Sequence, residues 1–232
     1  MHVESLWRYP VKSLGGEPLS EAELTLDGVA GDRLVHVAVP WGPITGRTKH
    51  GLLTIPASTG PDGRPLVAGH PWDGPEAAEM IRATAGDHAR LVAYDGPERF
   101  DVLNLLVATD GGVADLGVDV RRLRPNLLIG GVEPGEERTW GGRALAIGDA
   151  LIGILNLRQR CVVTTIDPDT GEQDVGVLRD INDRFEGRVA LNCWVIRPGT
   201  IRPGEPVELV DAPARPEHVG GWVVGAPYLV DG

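Results

Sequence analysis

Glycine and proline divide this sequence into short apolar segments, and that division constrains the fold more than any other feature. Gly occurs 32 times and Pro 19 times in the 232 residues. Proline cannot donate a hydrogen bond to a sheet, and glycine weakens the interior of a helix or strand. Short apolar runs between turn residues are typical of antiparallel sheets and barrels rather than of βαβ units. The sequence therefore predicts a mainly β fold with a few helices, of the α+β class.

Local patterns predict where these elements lie. Pro75 suits the first position of a helix capped by Asp73 or Gly74, and Gly86 ends it. A second helix is predicted over 177–185 from its apolar spacing, and a short helix over 111–117. Strands are predicted over 2–10, 24–26, 34–39, 89–94, 102–109, 150–155, 161–166, 189–196 and 206–210, and a further strand is predicted to follow the basic loop within RRLRPNLLIGG (121–131).

A polar, turn-rich segment at 95–101 predicts a boundary between two regions. We expect an N-terminal region at 1–95 and a second region at 96–210. The tail at 211–232 contains GGWVVGAPYLV, which has the composition to add a strand.

Composition argues against several classes of protein. The net charge of −11 makes a nucleic-acid partner unexpected, because nucleic-acid-binding domains usually carry a basic face. No apolar stretch reaches the ~18 residues of a membrane span, and the N-terminus lacks the pattern of a signal peptide. We therefore expect a cytoplasmic protein with no membrane partner. Two cysteines are too few for a Cys₄ zinc site or an iron–sulfur cluster.

Basic residues are unevenly placed in this acidic chain. Only Lys12 and Lys49 of the 22 basic residues are lysines. Arginines cluster in RRLR (121–124) and RQR (158–160). Such runs are often solvated surface charge. They also suit a local anion site, because the arginine fork binds phosphate oxygens in pairs.

Cys161 stands directly after this second run. Positive neighbours stabilise the thiolate form of a cysteine, and thiolate sulfur binds metals that prefer sulfur. A buried apolar role is the alternative. A cysteine–histidine nucleophile also stays open, because only geometry could exclude it. Cys193 lies within the apolar run LNCWV and is expected in the core.

Three further motifs carry polar groups at turns. YPVKS (9–13) places Lys12 beside Ser13 after a predicted strand, and AGDR (30–33) places Arg33 before another. DPDTG (167–171) has the residues of a tight turn, which we expect to fix a hairpin behind Cys161.

Taken in order, YPVKS, GDR, RPN, RCVVTTIDPDTG and GTIRPGEPV resemble the MOSC family, named for the molybdenum cofactor sulfurase C-terminal domain. The resemblance is closest to the branch of the mitochondrial amidoxime-reducing component and its bacterial relatives. It spans roughly residues 3–210. It implies an N-terminal MOSC-type β-barrel region packed on a MOSC β-barrel domain.

The resemblance also implies a molybdenum cofactor (Mo-molybdopterin) and the residues that bind it. Cys161 would be the catalytic residue and the protein ligand to molybdenum. The residues that would hold the cofactor are Lys12, Ser13, Arg33, Thr109, Arg124, Asn126 and Arg160. Arg158, Gln159 and Leu14 depart from the family pattern, and Arg158 adds positive charge near the metal. Pyridoxal phosphate binding enters only as an association of the family.

The implied activity is reduction of a small N-oxygenated substrate, such as an amidoxime or an N-hydroxylated base. Electrons would come from a separate donor, a ferredoxin or a haem or flavin protein, since the cysteines for a fused ferredoxin are lacking. Asp110 and Asp167 are candidate proton donors by position only. Two alternatives stay open: a non-redox carrier of the cofactor or of persulfide sulfur, and a specialised biosynthetic enzyme on the same scaffold.

Overall fold

The computed structural model describes residues 1–94 and 99–213. The predicted strand in the tail lies outside the described residues. Three α-helices are present in the described part: α1 (Pro75–Ala85), α2 (Asp110–Leu116) and α3 (Val175–Phe185). The strands of this part are β1 (His2–Arg8), β2 (Glu17–Leu19), β3 (Ala22–Thr25), β4 (Gly28–Val29), β5 (Val35–Val39), β6 (Gly42–Ile44), β7 (Ala57–Thr59), β8 (Pro65–Val67), β9 (His70–Pro71), β10 (Arg90–Ala93), β11 (Leu105–Thr109), β12 (Leu127–Gly130), β13 (Arg143–Ile147), β14 (Ala150–Gln159), β15 (Arg188–Arg197), β16 (Gly199–Ile201) and β17 (Glu208–Asp211).

The largest sheet has eight strands in the order β17-β13-β14-β15-β11-β12-β1-β2. Its β11–β12 pair is parallel, and its other neighbouring pairs are antiparallel. No ladder closes this sheet among the described residues, although β1 makes one bridge from His2 to Pro206. Proline has no backbone N–H to extend such pairing. The mainly β fold is confirmed, but its sheets are not closed barrels in the part described.

The two largest of four apolar clusters among the described residues organise the chain. One lies between α1 and the sheet β10-β5-β6, within residues 11–89. The other underlies the large sheet and contains residues from both halves of the chain. β1 pairs with β12 and β3 pairs with β16, so the first strands belong to the second core. The division at 95–96 therefore remains a proposal.

The helix predictions are confirmed. Gly74 precedes α1, Pro75 occupies its first turn, and Gly86 ends it with a positive φ of 112°. α3 buries Val177, Ile181 and Phe185, the face that the sequence spacing indicates. Among residues 1–94 and 99–213, no helix is long and apolar enough to span a bilayer.

Several strand ends differ from prediction by one or two residues, and the ends of β11 and β14 differ by more. β11 begins at Leu105 rather than at 102, because Asn104 turns aside and its amide donates to the Leu26 carbonyl over 2.6 Å. β14 continues to Gln159, beyond the predicted end at 155, because it stays paired with β15 as far as Arg188. This extension carries β14 to the edge of the candidate site.

Candidate functional site

A polar cavity lies where the turn after β1, the loop before β5 and the end of β14 meet. Seven of the eight predicted site residues line it: Lys12, Ser13, Arg33, Arg124, Asn126, Arg160 and Cys161. Six lining side chains are cationic, since Arg47 and Arg158 join the predicted Lys12, Arg33, Arg124 and Arg160. Asp101 is the one carboxylate among the described lining residues. The fold thus concentrates positive charge at one place in an acidic chain.

The backbone around the cavity adopts an unusual conformation at three of these residues. Ser13, Arg33 and Arg124 have φ values of 71°, 53° and 57°, in the left-handed region. Such backbone costs about 1–3 kcal/mol per residue and clusters at functional sites. It is held here by backbone hydrogen bonds, one from the Arg33 N–H to the Tyr9 carbonyl over 2.8 Å. These turns direct Arg33 and Arg124 into the cavity.

Cys161 lies just beyond the end of β14 and is partly exposed. Its backbone is extended, with φ −140° and ψ −178°, and it precedes a 3-10 turn at Val162–Thr165. The Arg160 N–H donates to the Gly187 carbonyl over 2.9 Å, which fixes the approach to Cys161. Cys161 therefore enters the cavity from a rigid strand end.

The predicted strand over 161–166 is wrong. Residues Val162–Thr165 form the 3-10 turn instead. The Thr164 and Thr165 hydroxyls donate to the carbonyls three residues earlier, over 2.8 and 2.7 Å. Threonine side chains that bond nearby carbonyls compete with sheet pairing, and β15 begins at Arg188, so β14 has no partner beyond this point. The DPDTG turn is confirmed: Asp167 accepts from the Asp169 and Thr170 N–H groups.

Arg33, Arg124 and Arg160 form an inner cation group around Tyr9. The Arg124 and Arg33 guanidinium carbons lie 4.3 and 5.2 Å from the centre of the Tyr9 ring. Arg33 also pairs with the buried Asp32. Arg160 donates to a backbone carbonyl over 2.7 Å, but its buried Nε finds no partner among the described residues. This group therefore has unmet hydrogen-bonding capacity.

Burial sets the protonation of the inner group. Desolvation lowers the pKa of Arg124 and of Arg160 to about 10. Burial raises the pKa of Tyr9 to about 12, so its hydroxyl stays neutral near pH 7. No carboxylate among the described residues lies within 4.0 Å of Arg124 or Arg160. Both remain cations in a poorly hydrated place, a condition that favours an anionic ligand.

The Tyr9 ring depends on Gly16. A Cβ atom built at Gly16 would lie 2.5 Å from Tyr9 Cε1. Glycine here lets the ring pack against the chain and stay under Arg33 and Arg124.

Lys12, Arg47 and Arg158 form an outer cation group around Asp101. Lys12 Nζ lies 3.0 Å from one carboxylate oxygen. Arg47 and Arg158 reach the other over 3.0 and 3.5 Å. Burial by itself would raise the pKa of Asp101, but the three cations lower it to about 2. Burial lowers the pKa of Lys12 and of Arg158, and Asp101 opposes both shifts.

Asn126 lines the cavity with an amide that is already bonded. Its Nδ2 donates to Asp32 Oδ2 over 3.2 Å, and its Oδ1 accepts from the Leu106 N–H over 3.2 Å. Asn126 therefore joins Asp32 to the start of β11.

Thr109 does not line the cavity. Its buried hydroxyl accepts from the Gly112 N–H over 3.1 Å and caps α2.

Asp110 and Asp167, the candidate proton donors, also lie outside the lining. Asp110 accepts three backbone N–H groups at 2.7–3.0 Å, which lower its pKa against the effect of desolvation. Cys193 is buried in the core as predicted, and burial raises its pKa.

Only the last arginine of the RRLR run faces the cavity. Arg121 is paired with Asp119 and Asp169 over 2.6 and 2.7 Å. Arg122 donates to the Thr165 carbonyl over 2.9 Å and to Asp167 over 3.0 Å. Arg121 therefore makes surface ion pairs, Arg122 supports the segment after Cys161, and Arg124 belongs to the site.

Sequence reasoning missed Asp101, Arg47, Asp32 and Tyr9 as parts of the site. Tyr9 and Asp32 stand inside the quoted motifs YPVKS and AGDR, so those motifs held the signal. Asp101 and Arg47 lie in turn-rich segments without a local pattern, and only the fold brings them to Lys12.

The donor set fits a sulfur-binding metal carried by an anionic organic group. Cys161 supplies sulfur, while the inner cation group and Ser13 supply N–H and O–H donors suited to a phosphate. The cavity encloses about 130 Å³, less than the roughly 300–1,000 Å³ of pockets for whole small molecules. A larger ligand would therefore extend beyond it to the rim.

Comparison with known proteins agrees with this fold. A model of the MOSC domain matches residues 84–208, and a model of the MOSC N-terminal beta barrel domain matches residues 1–91. The chain is 25% identical to mitochondrial amidoxime-reducing component 1 of Homo sapiens, over 90% of this chain and 82% of that protein. It is 29% identical to mitochondrial amidoxime reducing component 2 of Homo sapiens, over 74% and 68% respectively.

Among solved structures, the YuaD protein from Bacillus subtilis is similar in fold. The TM-score is 0.50 at 12% sequence identity, over 91% of this chain and 96% of that chain. The match to the MOSC domain alone covers more than half of the residues. This chain therefore belongs to the MOSC domain family.

Proposed function

We propose that this protein is a molybdenum-cofactor-dependent reductase of small N-oxygenated compounds, such as amidoximes and N-hydroxylated bases. The observation that carries the proposal is the position of Cys161. Its thiol shares one cavity with six cationic side chains, brought together from both halves of the chain. A soft sulfur ligand beside phosphate-binding donors suits a metal held on an anionic pterin.

The inner cation group would bind the terminal phosphate of the cofactor. Arg160 has an unpartnered Nε, and Arg124 rests on the Tyr9 ring without a carboxylate partner among the described residues. Each charge-assisted hydrogen bond contributes about 1.5–3 kcal/mol. Lys12 and Ser13 would add donors from the turn after β1.

Cys161 would be the single protein ligand to molybdenum. When bound, the cofactor would supply two-electron redox chemistry, while the protein would supply ligation, charge and shape. Asp101 is held ionised by its three partners, so its role is to order the outer cations. Electrons would come from a separate ferredoxin, haem or flavin protein. Lys12 is paired with Asp101, and we do not extend the proposal to pyridoxal phosphate.

The names of the relatives support the substrate class. The two human relatives compared above are called amidoxime-reducing components. That name describes the relatives. Because the identities are 25–29%, the same activity is proposed for this chain and not assigned to it.

Turnover of benzamidoxime with a reduced viologen as artificial electron donor tests the proposal. We expect wild-type protein to hold molybdenum and pterin and to form benzamidine. Cys161→Ala should lower the turnover of benzamidoxime at least ~10–100-fold, because loss of a residue that only hydrogen-bonds a metal ligand already costs that much. The matched Cys193→Ala control should not lower it. A folded protein without metal that releases sulfide to a thiol reductant would contradict the proposal and favour a sulfur carrier.

A further inference from the structure

We propose that Arg158 selects substrates with a carboxylate group, so that the reductase acts on carboxylate-bearing N-oxygenated compounds. This inference rests on the proposed function. It concerns a residue that departs from the family pattern, and it assigns Arg158 of the outer cation group to the substrate, while Lys12 keeps its proposed role toward the cofactor.

The charge balance of the outer cation group is the first step. Asp101 offers one negative charge to three cations, and Arg158 is its most distant partner at 3.5 Å. No other carboxylate of the described residues lies within 4.0 Å of Arg158 or Arg47. One carboxylate cannot neutralise two arginines, so positive charge remains at this end of the cavity.

The second step is the support behind Arg158. Its Nη1 donates to Asn192 Oδ1 over 3.3 Å, and Asn192 Nδ2 donates to Asn156 Oδ1 over 2.8 Å. These amides orient the guanidinium without cancelling its charge. The Arg158 side chain is only 17% exposed, so its charge is weakly screened by water.

The third step is position. Arg158 precedes Cys161 by three residues and lines the same cavity. Arg47, the outermost member of the group, is 46% exposed, which places the Arg47 end of the group toward solvent. A substrate whose N–O group reaches the Cys161 end could therefore present a carboxylate to Arg158, which binds carboxylates through a planar fork.

Paired substrates test the proposal in metal-loaded protein. We would compare kcat/KM for 4-carboxybenzamidoxime with that for neutral benzamidoxime, in the wild type and in Arg158→Gln. The control is Arg64→Gln, an exposed arginine paired with Asp73 outside the cavity. Binding of unreactive 4-carbamoylbenzoate and of benzamide, measured by calorimetry, gives a readout independent of turnover.

The wild type should prefer the carboxylate substrate by about tenfold or more, the effect of one charge-assisted hydrogen bond. Arg158→Gln should reduce that ratio by about tenfold, and Arg64→Gln should leave it unchanged. An unchanged ratio in Arg158→Gln would overturn the proposal. Equal losses on both substrates together with lost molybdenum would also overturn it, because Arg158 would then hold the cofactor.

The two proposals fail differently. If loaded wild-type protein reduces neither substrate, the proposed function fails and the binding measurement decides the present inference. Weaker binding of 4-carbamoylbenzoate, but not of benzamide, to Arg158→Gln would support the role of Arg158. Equal binding to the wild type and the variant would refute it.

Discussion

The two cysteines occupy opposite environments and should differ in reactivity. Cys161 is partly exposed at the cavity, whereas Cys193 is fully buried and burial raises its pKa. We predict that native protein prepared without molybdenum reacts with a thiol reagent at one site, and that urea-unfolded protein reacts at two. Mass spectrometry of the labelled peptides would identify the first site. Native labelling at Cys193 would contradict this assignment.

Asp101 gives a prediction about acid stability. Its folded pKa of about 2 lies below its ordinary value of 3.8 because of three cationic partners. A lowered folded pKa stabilises the protein above the unfolded pKa, and this contribution is lost as pH falls through about 4 to 2. Denaturant unfolding of the wild type and Asp101→Asn should therefore differ most above pH 5 and converge near pH 2. A difference independent of pH would show that Asp101 stabilises by packing alone.

At the scale of residues, the sequence predicts those site members that stand in compact motifs. Lys12, Ser13 and Arg160 line the cavity because their motifs are strand ends and tight turns, whose geometry is local. Thr109 is predicted to line the cavity, but its hydroxyl accepts from the Gly112 N–H and caps α2 instead. Asp101 could not be found, because its partners lie 54–89 residues away in the chain and only tertiary structure joins them.

At the scale of elements, Arg122 fixes the segment that follows Cys161. It donates to the Thr165 carbonyl and to Asp167 and is largely shielded from solvent, at 13% exposure. We predict that Arg122→Ala lowers the free energy of unfolding by about 1–3 kcal/mol, because it removes two hydrogen bonds of a shielded guanidinium, one of them to a carboxylate. It should also weaken metal retention, because the 3-10 turn that begins at Cys161 loosens.

Urea unfolding and molybdenum content would measure both effects, and Arg121→Ala is the matched control. Arg121 makes exposed ion pairs with Asp119 and Asp169, which contribute about 0–1 kcal/mol. Equal effects of the two substitutions would contradict a positioning role for Arg122.

The helices and nine of the 17 strands in the described part follow from sequence, because periodic apolar residues and flanking turn residues mark them. Pro75 and Gly86 mark α1 at both ends. The structure of the segment after Cys161 does not follow from sequence. Its β-branched residues favour a strand, while the Thr164 and Thr165 hydroxyls stabilise a turn. The absence of a partner strand beyond Arg188 decides between them, and sequence pattern does not reveal strand pairing.

At the scale of the whole molecule, the site exists because distant segments meet. The chain carries a net charge of −11, yet six cations face one cavity. β1 leaves the large sheet at Arg8 and delivers Lys12 and Ser13, while β14 delivers Arg158, Arg160 and Cys161 from the other half. Sequence composition gives the total charge of the chain but not where the charges lie. The meeting of six cations at one cavity therefore follows only from the fold.

The molybdenum content of purified wild-type protein beside Cys161→Ala tests the central claim most directly. Elemental analysis should find close to one molybdenum per wild-type chain, with pterin present. Cys161→Ala should lose most of the metal while its unfolding midpoint and circular dichroism stay close to those of the wild type. Wild-type protein without molybdenum, or a folded Cys161→Ala with undiminished molybdenum, would contradict the account.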